Sequence, residues 1–435
     1  MSAKKVSPTV FAAIAVASLT FTLAVRAQAQ TETVLFSNFI GVNGSNPFST
    51  PIFDSTGHLY GTAEVGGNRA DCGGSGCGVV FKATRSTATA WRETVIHAFS
   101  GGRDGSSPQA GLVQDAAGNL YGTTPYGGGP CTFNSSLTCG VIFELSLGAD
   151  GGWKETVLHV FTGGLDGGNP SGSIILDSVG NLYGVTHDGG SAPSCATNGT
   201  TGCGVVYKLA PLTGGGWKET VLYSFFNAAD GAYPSGTLTL DAQGNLYGAN
   251  APGFGSGGAG VIYELSPSPT TPWPLTVVHG FGNNGDGEAP NGGLVFDSAG
   301  NLYGTTSQGV SGYGIVFELS PSGDSWTENI LLTFDGAARG GIPVSGVILD
   351  SAGNLYGTTS VGGPPEQQRF GLVYKLSSGA GGAWTETILH NFGGDDSGDG
   401  QTPYGGLVFD TAGNLYGTTV YGGGFLEGTL YKIVP

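Results

Sequence analysis

The sequence predicts an all-β fold: a seven-bladed β-propeller of four-stranded antiparallel blades, closed by the N-terminal strand completing the last blade. Three observations carry this expectation. Leu-Tyr-Gly recurs seven times, beginning at Leu59, Leu120, Leu182, Leu246, Leu302, Leu355 and Leu415, with 53 to 64 residues between copies. Each copy lies among short apolar runs separated by turn residues. The two ends of the chain are out of phase with the repeat in complementary ways. A fixed period of this length marks copies of one small unit that cannot bury its apolar face alone.

One unit, read from Pro170, shows the elements in order. Ser173–Asp177 is a short apolar strand and Ser178-Val179-Gly180 a turn. Asn181–Thr186 is a second strand around Leu182 and Tyr183, and a Gly-rich loop then runs to Gly204. Val205–Leu209 is a third strand, Pro211–Gly216 a turn and Trp217–Phe225 a fourth strand. Four such strands form an antiparallel sheet of the size of a propeller blade. Glu32–Leu35 matches the fourth strand (Glu155–Leu158), and Gly428–Val434 matches the third. The two ends therefore build one blade together, which leaves no open edge between first and last blades.

Composition bounds the setting. Lys4 and Lys5, the apolar run Val10–Val25 and the small-x-small site Ala27-Gln28-Ala29 read as a signal peptide over residues 1–29. An uncleaved anchor helix is the alternative. Residues 30–435 then form a single propeller domain, expected to be secreted or periplasmic and monomeric. The formal net charge is −17, and removing Lys4, Lys5 and Arg26 brings the mature chain to −20. Such a surface repels phosphate backbones and anionic lipids, so neither nucleic acid nor membrane is an expected partner. The 83 glycines of 435 residues sit at fixed offsets in the repeat, as turn residues do. Six cysteines form three close pairs, Cys72 with Cys77, Cys131 with Cys139 and Cys195 with Cys203, between second and third strands. In an exported protein these read as three local disulfides. A metal site is the alternative, and it needs pairs from different repeats to converge.

The repeat resembles that of the bacterial GloVer family, exported proteins of unknown function, many of which carry a C-terminal anchor. The resemblance covers residues 31–435, through Gly-Asn-Leu-Tyr-Gly-Thr-Thr, the Gly-Gly that follows, and Trp-Lys-Glu-Thr-Val-Leu-His-x-Phe. It also echoes kelch repeats in the Gly-Gly and Trp, and NHL-type repeats in the apolar-Asp-x-x-Gly-Asn run. This chain shows no anchor, which leads to the expectation of a soluble, released or periplasmic form. The resemblance implies no activity.

Residues repeated in every unit read as scaffold. The six tryptophans (Trp91, Trp153, Trp217, Trp273, Trp326, Trp384) share one repeat position and read as packing between blades, with glycan stacking the alternative. Asp54, Asp115, Asp177, Asp241, Asp297, Asp350 and Asp410 precede x-x-Gly and read as turn acceptors. His97, His159, His279 and His390 on the fourth strands read as structural, because outer strands of different blades lie far apart. The Asp-Gly-x-x-Pro connectors carry Asp104, Asp166, Asp230, Asp286 and Asp399, with Asn43 and Arg339 in the other two. These carboxylates either cap their own turns or gather a ligand such as Ca²⁺, which needs several oxygens converging on one point.

A functional site on a symmetric scaffold should lie where the copies disagree. The departures are Glu64, Tyr126, His187, Asp188, Asn250, Arg339, Glu366, Arg369, Tyr421 and Glu427. Their loops share one face with the connectors. This mixture of aromatic, amide, carboxylate and guanidinium groups suits a polar ligand, a polysaccharide or cell-envelope partner. Loop drift produces the same pattern. A lyase or glycoside hydrolase with His187 and Glu64 or Asp188 as acid–base pair is a second reading, and a structural surface protein a third. No G-x-S-x-G, H-E-x-x-H or P-loop motif is present.

Overall fold

The computed structural model describes residues 31–435 except 38, 88–89, 132–137, 193–194, 196–201, 227–228, 251–258, 283–284, 310, 324, 364–369, 380 and 394–397. The leader segment 1–29 thus lies outside the described residues. Blade 1 consists of Ile52–Phe53, Leu59–Ala63, Val79–Arg85 and Trp91–Ala98, paired in that order from the axis outward. Blades 2 to 6 repeat this arrangement, opening at Val113, Gly168, Pro234, Val295 and Ile348. Blade 7 is made of Val408–Phe409, Leu415–Thr419, Thr429–Val434 and, from the other end of the chain, Thr31–Phe36. Thr31–Phe36 pairs antiparallel with the last strand, Glu32 facing Ile433 and Val34 facing Tyr431. The seven-bladed closure expected from the phase of the repeat is therefore present. Among the described residues no helix is long and apolar enough to cross a membrane.

Each letter of Leu-Tyr-Gly has a separate physical cause. The seven leucines are completely buried. The glycine is required because an aromatic ring of the third strand lies where its Cβ would be. That ring belongs to Phe81, Phe143, Tyr207, Tyr263, Phe317, Tyr374 or Tyr431, and an added Cβ would lie 2.3 to 2.6 Å from its tip. The tyrosine works at both ends. In six blades its hydroxyl donates to the turn aspartate of the same blade, as Tyr121 does to Asp115 at 3.0 Å and Tyr356 to Asp350 at 3.0 Å. Its ring meets the next blade's tryptophan edge-on, in Tyr60–Trp153, Tyr121–Trp217, Tyr247–Trp326, Tyr303–Trp384 and, across the closure, Tyr416–Trp91. Packing between blades is thus the role of these tryptophans. Trp273 differs: blade 4's outer strand starts only at Leu275, because Pro274 has no N–H for the ladder. Its indole is buried in the cluster around blades 3 and 4, and its backbone N–H donates to the Leu222 carbonyl at 2.8 Å.

The turn aspartates act as expected. Asp115 Oδ1 accepts the Ala117 and Asn119 amides at 2.9 Å each, and Oδ2 accepts the Asn119 side chain at 2.9 Å. Burial raises its carboxyl, but these hydrogen bonds outweigh burial and hold it below the usual carboxylate range.

The seams between blades have three layers. Nearest the axis, hydroxyls cross from blade to backbone, and the closing seam has Gly406 N–H on Thr50 Oγ1 at 2.7 Å and Thr418 Oγ1–H on the Ser49 carbonyl at 2.8 Å. Here glycines allow backbones to touch. In the middle layer, the third-strand ring of each blade meets a phenylalanine from the preceding one. The pairs are Phe39–Phe81, Phe99–Phe143, Phe161–Tyr207, Phe225–Tyr263, Phe281–Phe317, Phe334–Tyr374 and Phe392–Tyr431, with centroids 5.1 to 5.4 Å apart. Each edge-to-face pair contributes about 0.5–1.5 kcal/mol beyond its burial. In the outer layer, the outer-strand glutamate of one blade faces the histidine and connector aspartate of the blade before. The fourth-strand histidines therefore have partners of a kind that comparing histidines with each other does not reveal. Three seams depart from this: Phe36 and Asn43 occupy the histidine and aspartate positions opposite Glu93, Leu332 and Arg339 those opposite Glu386, and blade 4 has Leu275 in place of the glutamate.

A Cβ added at Gly346 would lie 2.0 Å from the Gly293 carbonyl oxygen, whereas one added at Gly280 would meet nothing within 4 Å. Gly346→Ala should therefore cost about 1–3 kcal/mol in urea unfolding, and Gly280→Ala almost nothing. A second prediction concerns pH. Burial pushes Glu93 up to about 8, and its Oε1 has no hydrogen-bond partner. A carboxyl raised in the folded state contributes its stability below the unfolded value, near 4.5, and loses it as pH rises toward 8. Glu93→Gln should match the wild-type melting temperature at pH 4.5 and exceed it at pH 9.

Candidate functional site

All seven connectors pair with the segment that follows the second strand, as at Ser45–Val65, Ser106–Tyr126, Gly168–Asp188, Pro234–Asn250, Glu288–Gln308, Gly341–Val361 and Gln401–Tyr421. Connectors and second-to-third-strand loops therefore share one face. In each connector the residue before the proline adopts a left-handed conformation, φ between +52° and +57°: Asn46, Ser107, Asn169, Tyr233, Ala289, Ile342 and Thr402. This backbone is costly for residues with a Cβ. The fold offsets it with a hydrogen bond across the seam. Each of these N–H groups donates to a carbonyl of the preceding blade, those of Cys77, Cys139, Cys203, Ala259, Tyr313, Phe370 and Glu427, at 2.7 to 2.9 Å. In three blades that carbonyl belongs to a disulfide-bonded cysteine. The disulfides Cys72–Cys77, Cys131–Cys139 and Cys195–Cys203 pair as the spacing indicated. They anchor the loop at the residue on which the next connector hangs.

The turn at the proline presents its neighbours to the axis. A cavity of about 910 Å³ opens there. Residues just after the connector prolines line it, including Phe48, Gln109, Asn291 and Tyr404, and so do the pre-proline Asn169 and Tyr233. Tyr126, His187 and Asp188 complete one side. The His187 ring stacks on Tyr233, centroids 4.7 Å apart and planes at 27°. His187 Nδ1 lies 3.0 Å from Asp188 Oδ1, and the Asn169 side-chain amide donates to the other oxygen of Asp188. Asp188 is buried while the His187 side chain is 50% exposed, so one edge of the imidazole faces the cavity and the other is held. Phe48 and Tyr404 meet edge-on at 5.3 Å across the closing seam.

The residues singled out by broken symmetry are thus separated. Tyr126, His187 and Asp188 come together in the cavity wall. Glu64 reaches it through Gln109, whose side-chain amide donates to Glu64 Oε1 at 2.8 Å. Glu64 and His187 hold different partners and do not form a hydrogen-bonded pair. Asn250 is fully buried and fills the place of the second threonine of the repeat, against Gly231 of its connector. Tyr421 is exposed on the same face but outside the cavity lining, with its backbone on Gln401. Arg339 is at the outer rim, its Nε 3.6 Å from Glu386 Oε2. Glu366 and Arg369 lie outside the described residues.

The connector aspartates hold their own loops. Asp104 accepts the Ser100 amide at 2.7 Å and its hydroxyl at 2.6 Å, and Asp230 accepts the Phe226 amide at 3.0 Å. Among the described residues no group of three or more metal-ligating side chains contains two of these aspartates. They do not gather at one oxygen-rich point such as Ca²⁺ requires. The residues that the sequence reading missed are Phe48, Gln109, Asn169, Tyr233, Asn291 and Tyr404. A signal for them exists: the residue after the connector proline is Phe, Gln, Ser, Ser, Asn, Val and Tyr in the seven blades.

No curated protein matches the chain. Among solved structures, a Bacteroides uniformis protein provisionally assigned as a 6-phosphogluconolactonase is similar at 14% identity and TM-score 0.49, over 79% of this chain and 85% of that one. PorZ of Porphyromonas gingivalis, a surface component of the type-IX secretion system, is similar at 14% identity and TM-score 0.50. That match covers 89% of this chain but only 46% of PorZ. A Dyadobacter fermentans protein of unknown function is similar at 11% identity and TM-score 0.45, over 93% and 98% of the two chains. At these identities the likeness is one of fold. The model of the Gloeobacter/Verrucomicrobia repeat matches residues 18–196, 129–363 and 255–435, and the chain therefore belongs to that repeat family.

Proposed function

We propose that the protein is an exported binding protein whose axial cavity takes a polar, ring-shaped ligand of the saccharide class, from a polysaccharide or the cell envelope. The observation that carries this reading is the cavity wall. It mixes aromatic residues (Phe48, Tyr233, Tyr404) with amide, imidazole and carboxylate groups (Gln109, Asn169, His187, Asp188), each delivered by a rigid connector or strand end. Sugar rings present apolar faces and hydroxyl edges, which this mixture of groups suits. Three disulfides suit the oxidising compartment that export implies. A purely structural role gives no reason for a cavity so lined.

The His187–Asp188 pair favours a second reading, turnover of that ligand by a lyase or hydrolase. A buried carboxylate orienting an imidazole at a cavity wall is the arrangement a general base needs. A glycan array on the mature protein followed by calorimetry tests both readings. Binding should weaken at least tenfold in Tyr404→Ala and His187→Ala and stay unchanged in Tyr421→Ala. Silence across the array, or equal binding by all three variants, overturns the saccharide reading. Turnover of the bound glycan that is lost in Asp188→Asn selects the enzyme, and binding without turnover selects the binder.

A further inference from the structure

The outer layer of the seams holds groups that the cavity does not use. Glu328 of blade 5 faces His279 of blade 4 and Asp286 of the connector between them. Glu32 of the closing strand faces His390 and Asp399, and here His390 Nε2 already lies 3.0 Å from Asp399 Oδ2, which also accepts the Gly393 amide at 2.7 Å. In both triads the ligand atoms lie within 4.8 Å of one another, and both are half-buried.

The spacing in the first triad is not that of hydrogen bonds. His279 Nε2 lies 3.7 Å from Asp286 Oδ2 and 3.9 Å from Glu328 Oε2. Hydrogen bonds between such groups run to about 3.2 Å. His279 Nε2 and Glu328 Oε1 are shut off from solvent and have no hydrogen-bond partner. Glu32 Oε1 is in the same condition in the second triad, as are Oε1 of Glu93, Glu155, Glu219 and Glu386 in the other seams, so what sets the two triads apart is the convergence of three ligand atoms. Buried polar atoms without partners are rare and call for an explanation. Ligands about 2.0–2.2 Å from a tetrahedral ion stand roughly 3.3–3.6 Å from each other. Shifts of a few tenths of an ångström would bring the imidazole to that spacing from each carboxylate. Asp286 Oδ1 accepts the Gly282 amide at 3.1 Å, which leaves Oδ2 for the ion.

The other seams vary. His97 with Asp104 and His159 with Asp166 stand 4.0 and 3.5 Å apart but form no comparable group of three ligand atoms with a glutamate among the described residues. Between blades 5 and 6, Leu332 and Arg339 replace the histidine and aspartate, and the guanidinium itself stands beside Glu386. Between blades 3 and 4 the glutamate position is Leu275, and there Tyr223 takes the histidine position and its hydroxyl donates to Asp230 at 2.9 Å. In that seam both the glutamate and the histidine are absent.

We propose that His279, Asp286 and Glu328, and by the same chemistry Glu32, His390 and Asp399, each bind a divalent first-row transition ion of the zinc or manganese type. One imidazole and two carboxylates give the charge and donor set of such an ion, while Ca²⁺ prefers six to eight oxygens. The second site ties the closing strand to blade 6, so the ion there clasps the propeller at its point of closure.

The test is retention of ions by the mature chain, stripped with EDTA, exposed separately to Zn²⁺, Mn²⁺ and Ca²⁺, desalted and assayed by elemental analysis. The wild type should retain about two Zn²⁺ or Mn²⁺ per chain, one for each triad. Glu328→Gln and Glu32→Gln should each lose one, and Glu93→Gln, in a seam without histidine or aspartate, should lose none. Ion addition should also raise the wild-type melting temperature and leave that of the double variant unchanged. Where a glutamine variant fails to fold, His279→Gln or His390→Gln takes its place. No retention by the wild type, preference for Ca²⁺, or equal retention by wild type and triad variants overturns the proposal.

Discussion

Seven aromatic pairs, one in each seam, are the interaction on which the rest of the structure depends. Each third-strand ring is pressed between the glycine of its own Leu-Tyr-Gly and a phenylalanine of the blade before it. The ring thus holds sheet to sheet, and the glycine is what lets it sit deep enough to do so. A side chain of any size at that glycine would push the ring outward and separate the blades. The closing pair, Phe39 with Phe81, is made in the same way although Phe39 follows the N-terminal strand. Closure therefore uses the same contacts as every other seam and adds only the strand exchange.

This regularity leaves the axis free to vary. The connector proline, the left-handed residue before it and the hydrogen bond across the seam recur in all seven blades, whatever side chains flank them. The scaffold fixes where those side chains stand and is indifferent to their identity. So Tyr233 and Ala289 share one backbone state, as do Asn169 and Ile342, but only some of them equip the cavity. Conformational strain is spread around the ring, and chemistry is concentrated on the arc from blade 2 to blade 4, where His187, Asp188, Asn169 and Tyr233 support one another.

Blade number, strand order, the phase of closure and the three disulfides were legible in the sequence because each rests on a local, repeated cause. The turn aspartate needs only its own next four residues to find its partners. The cavity was legible in part. His187, Asp188 and Tyr126 stood out because they interrupt a motif, while Tyr404 and Gln109 follow a motif that remains intact. Asn250 misled because an amide can replace a threonine hydroxyl against a connector glycine without any change of role. The partners of the fourth-strand histidines were not legible because they come from a connector and from the next blade, and only the assembled seam brings His279, Asp286 and Glu328 to one place.

Closure by the N-terminal strand is the central claim, since the aromatic ring, the axial cavity and one of the two seam triads all require it. Amide hydrogen exchange on the mature chain measures it most directly. Buried ladder amides open only with the fold, whereas those of a loose terminus exchange freely. Those amides of Thr33–Phe36 that point at the last strand should be protected as strongly as the amides of Leu430–Ile433 that point back at them. Exchange of Thr33–Phe36 at the rate of an unstructured terminus, with Leu430–Ile433 exchanging as an open edge, would contradict it.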